Sequence, residues 1–167
     1  MTTKYKKTFD DDLSISNKNL QKILKFYLFE CPVPKKSVRG KKFSDYGIIG
    51  KSSFSKLKKK MFDSATLSLR KHYKPLDKSQ LEQEFISALS ITPPNEYCIF
   101  LKHDESTVMQ SLFTAIRNAF AHGSFYVKKY GGVRIFFLSN FNGYLKAEIV
   151  LHEETLLKWI ECIKKFS

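Results

Sequence analysis

Apolar residues recur at helical spacing in five stretches of the chain. Leu20, Ile23, Leu24, Tyr27 and Leu28 predict a helix over 17–30. Cys31-Pro32-Val33-Pro34 ends it, because proline lacks a donor and restricts the residue before it. Phe54, Leu57, Met61, Ala65 and Leu69 form one stripe of a predicted long helix over 53–73. Leu81, Phe85 and Leu89 mark a third helix, opened by the capping-box pattern Asp77-Lys78-Ser79-Gln80 and closed by Thr92-Pro93-Pro94. A fourth opens near Asp104. Val108, Leu112, Ala115 and Ala119 follow one edge of its apolar face, and Met109, Phe113, Ile116 and Phe120 widen it. A helix this apolar must pack on more than one side, and Gly123 suits a left-handed cap at its end. The fifth covers 153–166, with Leu156, Leu157, Ile160 and Ile163 on its apolar face and Trp159 beside it.

Between these helices the period changes. The run 97–101 is short and apolar, a strand or a buried extended segment. Residues 133–138 are rich in branched and aromatic side chains. Asn140-Phe141-Asn142-Gly143 is a turn signal, and Leu145, Ala147, Ile149 and Leu151 then alternate with Lys146, Glu148 and Val150 as in a half-buried strand. Residues 125–129 suit a third short strand. The resulting expectation is a single domain over 1–167, mainly α. In it a helical bundle carries a β-hairpin, 125–151, inserted between the last two helices. The polar segment 1–16 is expected to be flexible.

Charge sharpens this picture. Lys and Arg total 29 against 16 acidic residues, a formal net charge of +13. Such a field attracts polyanions and speeds encounter with them. A lysine bias alone usually brings glutamate with it, and here it does not, so a polyanionic partner is favoured over an acidic protein. Two basic segments are candidates for gripping a phosphate backbone. One is the loop containing Lys35, Lys36, Arg39, Lys41 and Lys42. The other is the Lys-rich side of the 53–73 helix, with Lys58 and Lys59. A solvated connector and a solvated helix face explain the same residues without RNA. Cys31, Cys98 and Cys162 are scattered and odd in number, which argues against a structural zinc site and fits reduced thiols in the cytoplasm. No apolar run reaches membrane-spanning length, and the first residues lack the apolar core of a signal peptide.

The chemistry concentrates in Arg117-Asn118-Ala119-Phe120-Ala121-His122-Gly123, at the end of the most apolar helix. A permanent cation, a small amide and an imidazole lie together, followed by a helix-stopping glycine. This stretch resembles the Arg-x4-6-His motif of the HEPN superfamily, whose members are helical bundles, many of them metal-independent ribonucleases. The likeness is specific over 104–123 and architectural elsewhere. It implies an endoribonuclease of toxin or defence type, with no cofactor and no metal. In it the 2′-hydroxyl attacks phosphorus, His122 moves the proton, and Arg117 stabilises the phosphorane. Asn118 matches the polar position after the arginine. Histidine titrates near neutrality and arginine offers a planar fork to phosphate oxygens, so the residue types suit these tasks. The resemblance further implies a homodimer with a composite active site, the apolar face of the motif helix supplying the interface, and a cognate antitoxin or regulatory protein as a further partner. The chain departs from the tyrosine that many such toxins carry two places after the histidine: Ser124 stands there, with Tyr126 further on.

Plainer roles exist for every one of these residues. Arg117 can pair with an acidic neighbour, and His122 can cap a helix. His72, His103 and His152 read as surface residues. The alternative to a nuclease is a non-catalytic basic scaffold that holds RNA or an acidic partner. No carboxylate pair, nucleophilic triad or phosphate-binding glycine loop is present.

Overall fold

The computed structural model describes residues 17–33, 41–104 and 106–167. It contradicts the mainly helical bundle. The chain is a mixed α/β domain built on a five-stranded sheet of order β1-β2-β5-β4-β3: Tyr73–Leu76, Tyr97–Leu101, Tyr144–His152, Val133–Asn142 and Phe125–Tyr130. Strands β1 and β2 pair in parallel, and all other neighbours are antiparallel. The hairpin expected as an insertion is therefore the larger part of a central sheet. Its strand β5 lies directly against β2, with Cys98 opposite Ile149 and Phe100 opposite Ala147.

Helices cover both faces. Helices α1 (Lys18–Lys25), α2 (Gly50–Asp63), α5 (Val108–Ala121) and α6 (Glu153–Lys164) pack on one side. The main core lies there. Phe26, Tyr27, Phe113, Phe100, Phe136 and Trp159 are fully buried in it. Tyr27 stacks against both Phe113 and Phe120. Truncating Phe113 to alanine in such a site costs about 3–5 kcal/mol. On the other face α4 (Lys78–Ala88) crosses over β2 and β5 and encloses a smaller cluster containing Leu81, Tyr97, Ile99, Ile135 and Val150.

The long helix expected over 53–73 is two helices and a strand. Helix α2 ends at Asp63. Thr66 then caps the short α3 (Leu67–Lys71), its hydroxyl accepting from the Leu69 amide. Threonine competes well for this capping place, so Ala65 and Leu69 belong to different elements although their spacing suits one helix. Strand β1 forms because β2 offers it a parallel partner. It is an edge strand, which is where Pro75 is tolerated.

The remaining helices keep close to their predicted limits. Helix α1 continues as a wider π-helical turn, Phe26–Glu30, over the predicted 17–30. The Asp77–Gln80 capping box is formed. Helix α5 starts at Val108 rather than near Asp104, because Thr107 and Gln110 form a reciprocal capping box there.

Candidate functional site

Helix α5 presents two kinds of surface. Met109, Leu112, Phe113, Ala115, Ile116, Ala119 and Phe120 are buried inside the chain. The apolar face is therefore used in the chain's own core and does not supply the dimer interface expected of it. A second stripe runs along Ser111, Thr114, Ala115, Asn118 and His122, positions that share one side of a helix. This stripe lines a cleft of about 160 Å³.

The cleft is closed by two other elements. The end of β2 and the segment after it contribute Leu101 and His103. The tip of the β4–β5 hairpin contributes Asn140, Phe141, Asn142, Lys146 and Ala147, and Ser124 also lines the cleft. Three hydrogen bonds lock these walls together. The Asn140 side-chain amide donates to the Ala115 carbonyl of α5 at 2.8 Å. The His103 backbone N–H donates to the Ser111 hydroxyl at 3.1 Å, and Ser111 is only 1% exposed. The Ser139 amide donates to the Ser124 carbonyl at 3.0 Å. The hairpin is irregular at this place. Asn140 is opposite Ala147 and Phe141 opposite Leu145, which leaves Lys146 as the extra residue of a bulge. Bulges recur beside functional sites because they re-aim one side chain. The Lys146 ammonium lies 5.2 Å from the Tyr144 ring.

His122 is where the helix stops. Its φ of −94° and ψ of 2° leave the helical range, and Gly123 follows with φ of +64° in the left-handed region. The amides of Gly123 and Ser124 turn back to the carbonyls of Phe120 and Ala119. His122 thus sits exposed in the lining of the cleft, one turn beyond Asn118.

Arg117 is placed differently. It is not part of the cleft wall. It lies half-buried on the neighbouring strip of α5, and its Nη1 donates to the Asn118 Oδ1 at 3.3 Å. Its Nε is buried without a hydrogen-bond partner. The nearby Cys31 thiol feels the guanidinium charge, although burial dominates and pushes that thiol up. Of the three predicted catalytic residues, the structure brings His122 and Asn118 into one cleft and joins Arg117 to them through Asn118.

No protein-family model matches this chain. Neither a curated protein nor a solved structure matches it either. The site must therefore be read from its own residues.

The predicted RNA-binding residues are scattered. Lys35, Lys36 and Arg39 lie outside the described residues. Lys41 and Lys42 are exposed just before a 3-10 turn, Phe43–Tyr46, and the Lys42 amide donates to Asp45. Lys58 and Lys59 are exposed on α2, with the Lys58 ammonium 5.3 Å from the Tyr73 ring. None of the four lines the cleft. Among the described residues no group of His, Cys, Asp and Glu is arranged to hold a metal ion, and no helix is long and apolar enough to cross a membrane. Cys31 and Cys98 are buried free thiols, and Cys162 is a partly exposed one.

Sequence reasoning missed His103, Ser111, Asn140 and Lys146. One signal was available for the helical part. Ser111, Thr114, Asn118 and His122 recur at helical spacing as a polar stripe on an otherwise apolar helix. The contributions of β2 and the hairpin tip had no local signal, since they depend on which strands pair.

Proposed function

We propose that this protein is a metal-independent endoribonuclease, acting as a toxin or defence effector, with His122 as its acid/base group. The observation that carries the reading is the cleft at the end of α5. An exposed imidazole shares a narrow polar concavity with the amides of Asn118, Asn140 and Asn142. Amide donors at fixed positions are what a phosphodiester with developing charge requires. The formal net charge of +13 favours a polyanionic substrate.

The proposed reaction is attack of the 2′-hydroxyl on the adjacent phosphorus, with a 2′,3′-cyclic phosphate and a 5′-hydroxyl as products. Arg117 supports the site as a fixed positive charge behind Asn118, polarising its amide toward the cleft. A homodimer that brings Arg117 of a second copy to the phosphate remains part of the proposal. Its interface must then use a surface other than the buried apolar face of α5.

The position of Arg117 outside the cleft wall favours one second reading, a non-catalytic basic module that holds RNA or an acidic partner, including a regulatory protein. One experiment separates the two. Wild type and His122→Ala proteins are incubated with mixed cellular RNA in EDTA and the product ends are mapped. Cleavage by wild type alone, leaving 5′-hydroxyl ends, supports the nuclease. RNA binding by both proteins without cleavage by either supports the module.

A further inference from the structure

We propose that His103 is the second proton-transfer group of this site, working opposite His122 on one phosphodiester. The inference rests on the ribonuclease reading and extends it.

The chemistry asks for two groups. In an in-line displacement the attacking 2′-oxygen and the departing 5′-oxygen lie on opposite sides of phosphorus. The 2′-O–P bond forms as the P–O5′ bond breaks. One proton leaves the 2′-hydroxyl and another must reach the 5′-oxygen. No atom changes oxidation state and no co-reactant is consumed. A single imidazole occupies one side of phosphorus, so His122 alone serves one of these transfers. The other needs a second group of suitable pKa on the facing wall.

A second histidine lines the cleft. Of the side chains lining it, three carry titratable groups: His103, His122 and Lys146. His122 comes from the end of α5, and His103 from the segment that follows β2. Two separate elements therefore present two imidazoles to one space of about 160 Å³. The His103 segment is anchored. Its backbone N–H is bonded to the buried Ser111 hydroxyl on α5, and the Lys102 amide donates to the Leu76 carbonyl at 2.8 Å. The side chain nevertheless remains exposed, as a group that meets a polymeric substrate must be. Lys146 is the amine of the three. Its bulged position at the hairpin tip suits neutralising the phosphate rather than moving protons.

The test compares wild type, His103→Gln and His122→Ala on a uridine-containing dinucleotide in EDTA, as kcat/KM against pH. Thermal unfolding of each variant checks that it is folded. The expected result is a bell-shaped profile for wild type. His103→Gln is expected to lose on the order of 10²-fold and one limb of the bell, with an unchanged melting temperature. If wild type cleaves and His103→Gln keeps both limbs and activity within about threefold, the assignment of His103 is overturned while the nuclease stands. If wild type cleaves nothing, the nuclease reading fails and the role of His103 falls with it.

Discussion

Two histidines end their secondary elements in this chain, and their surroundings are opposites. His152 closes β5 beside Glu96, a carboxylate with no exposed surface. Glu96 accepts from the Thr66 hydroxyl at 3.1 Å and from the His152 amide at 2.9 Å, and its own carbonyl accepts from Ser68 at 2.8 Å. The His152 ring contacts the Glu96 carboxylate at 3.8 Å through Nδ1 and the Pro94 carbonyl at 2.6 Å through Nε2. This cluster ties α3, β2 and β5 together, and its groups face one another. His152, expected as a surface residue, has a side chain only 19% exposed. His122, by contrast, lies exposed and lines an open cleft together with Asn118, Asn142 and Lys146. The first arrangement stabilises a fold, because buried polar groups that satisfy one another remove a large penalty. The second leaves hydrogen-bonding capacity for a ligand. A histidine's neighbours, rather than its place at an element end, decide which role it takes.

The comparison is broken most directly at His122. His122→Ala is expected to lower RNA cleavage by about 10²–10⁴-fold with an unchanged unfolding midpoint. A variant that instead melts early would move His122 into the structural class. At the other pole, Glu96→Ala is expected to cost about 3 kcal/mol in urea unfolding, since it removes a fully buried carboxylate and leaves the partly buried Thr66 hydroxyl and His152 amide without it. Its activity per folded molecule should match wild type. Asn140→Ala probes the boundary between the two classes. Loss of its bond to Ala115 is expected to cost about 1 kcal/mol in thermal unfolding and to weaken catalysis as the cleft wall loosens. An Asn140 variant that loses stability alone would assign that amide to the fold. Smallest in stability is the double change Lys58→Ala and Lys59→Ala on α2, expected to stay within about 0.5 kcal/mol. Its readout is the salt dependence of RNA binding, whose logarithmic slope should fall by about 2 if both ammonium groups contact phosphates. An unchanged slope would remove α2 from the RNA interface.

Helices α4, α5 and α6 were legible because each carries a continuous apolar stripe, and α4 has in addition a strong local start in Asp77 with Gln80. The end of α5 at His122 was legible for the same reason, since Gly123 enforces it locally. The break between α2 and α3 was not. Phe54, Leu57, Met61, Ala65 and Leu69 keep helical spacing across it, and the Thr66 hydroxyl marks the new element by accepting from the Leu69 amide and donating to the distant Glu96. The class of fold was misjudged at the same place. Tyr73–Leu76 carries Pro75 and has no alternation to announce a strand, so its pairing with β2, itself read as a strand or buried extended segment, left no local sign.

The sequence by itself determined the local matters: where the strongest helices lie, that α5 stops beside an imidazole, that the segment 125–151 forms strands, and that the molecule is strongly basic. Each follows from period, capping and charge within a few residues. The tertiary structure alone decided that the hairpin joins β2 and β1 in one sheet, that Asn118 lines the cleft while Arg117 does not, and that His103 and His122 line the same cleft. Those outcomes depend on pairings between residues far apart in the chain, and strand pairing and packing leave no trace in local spacing.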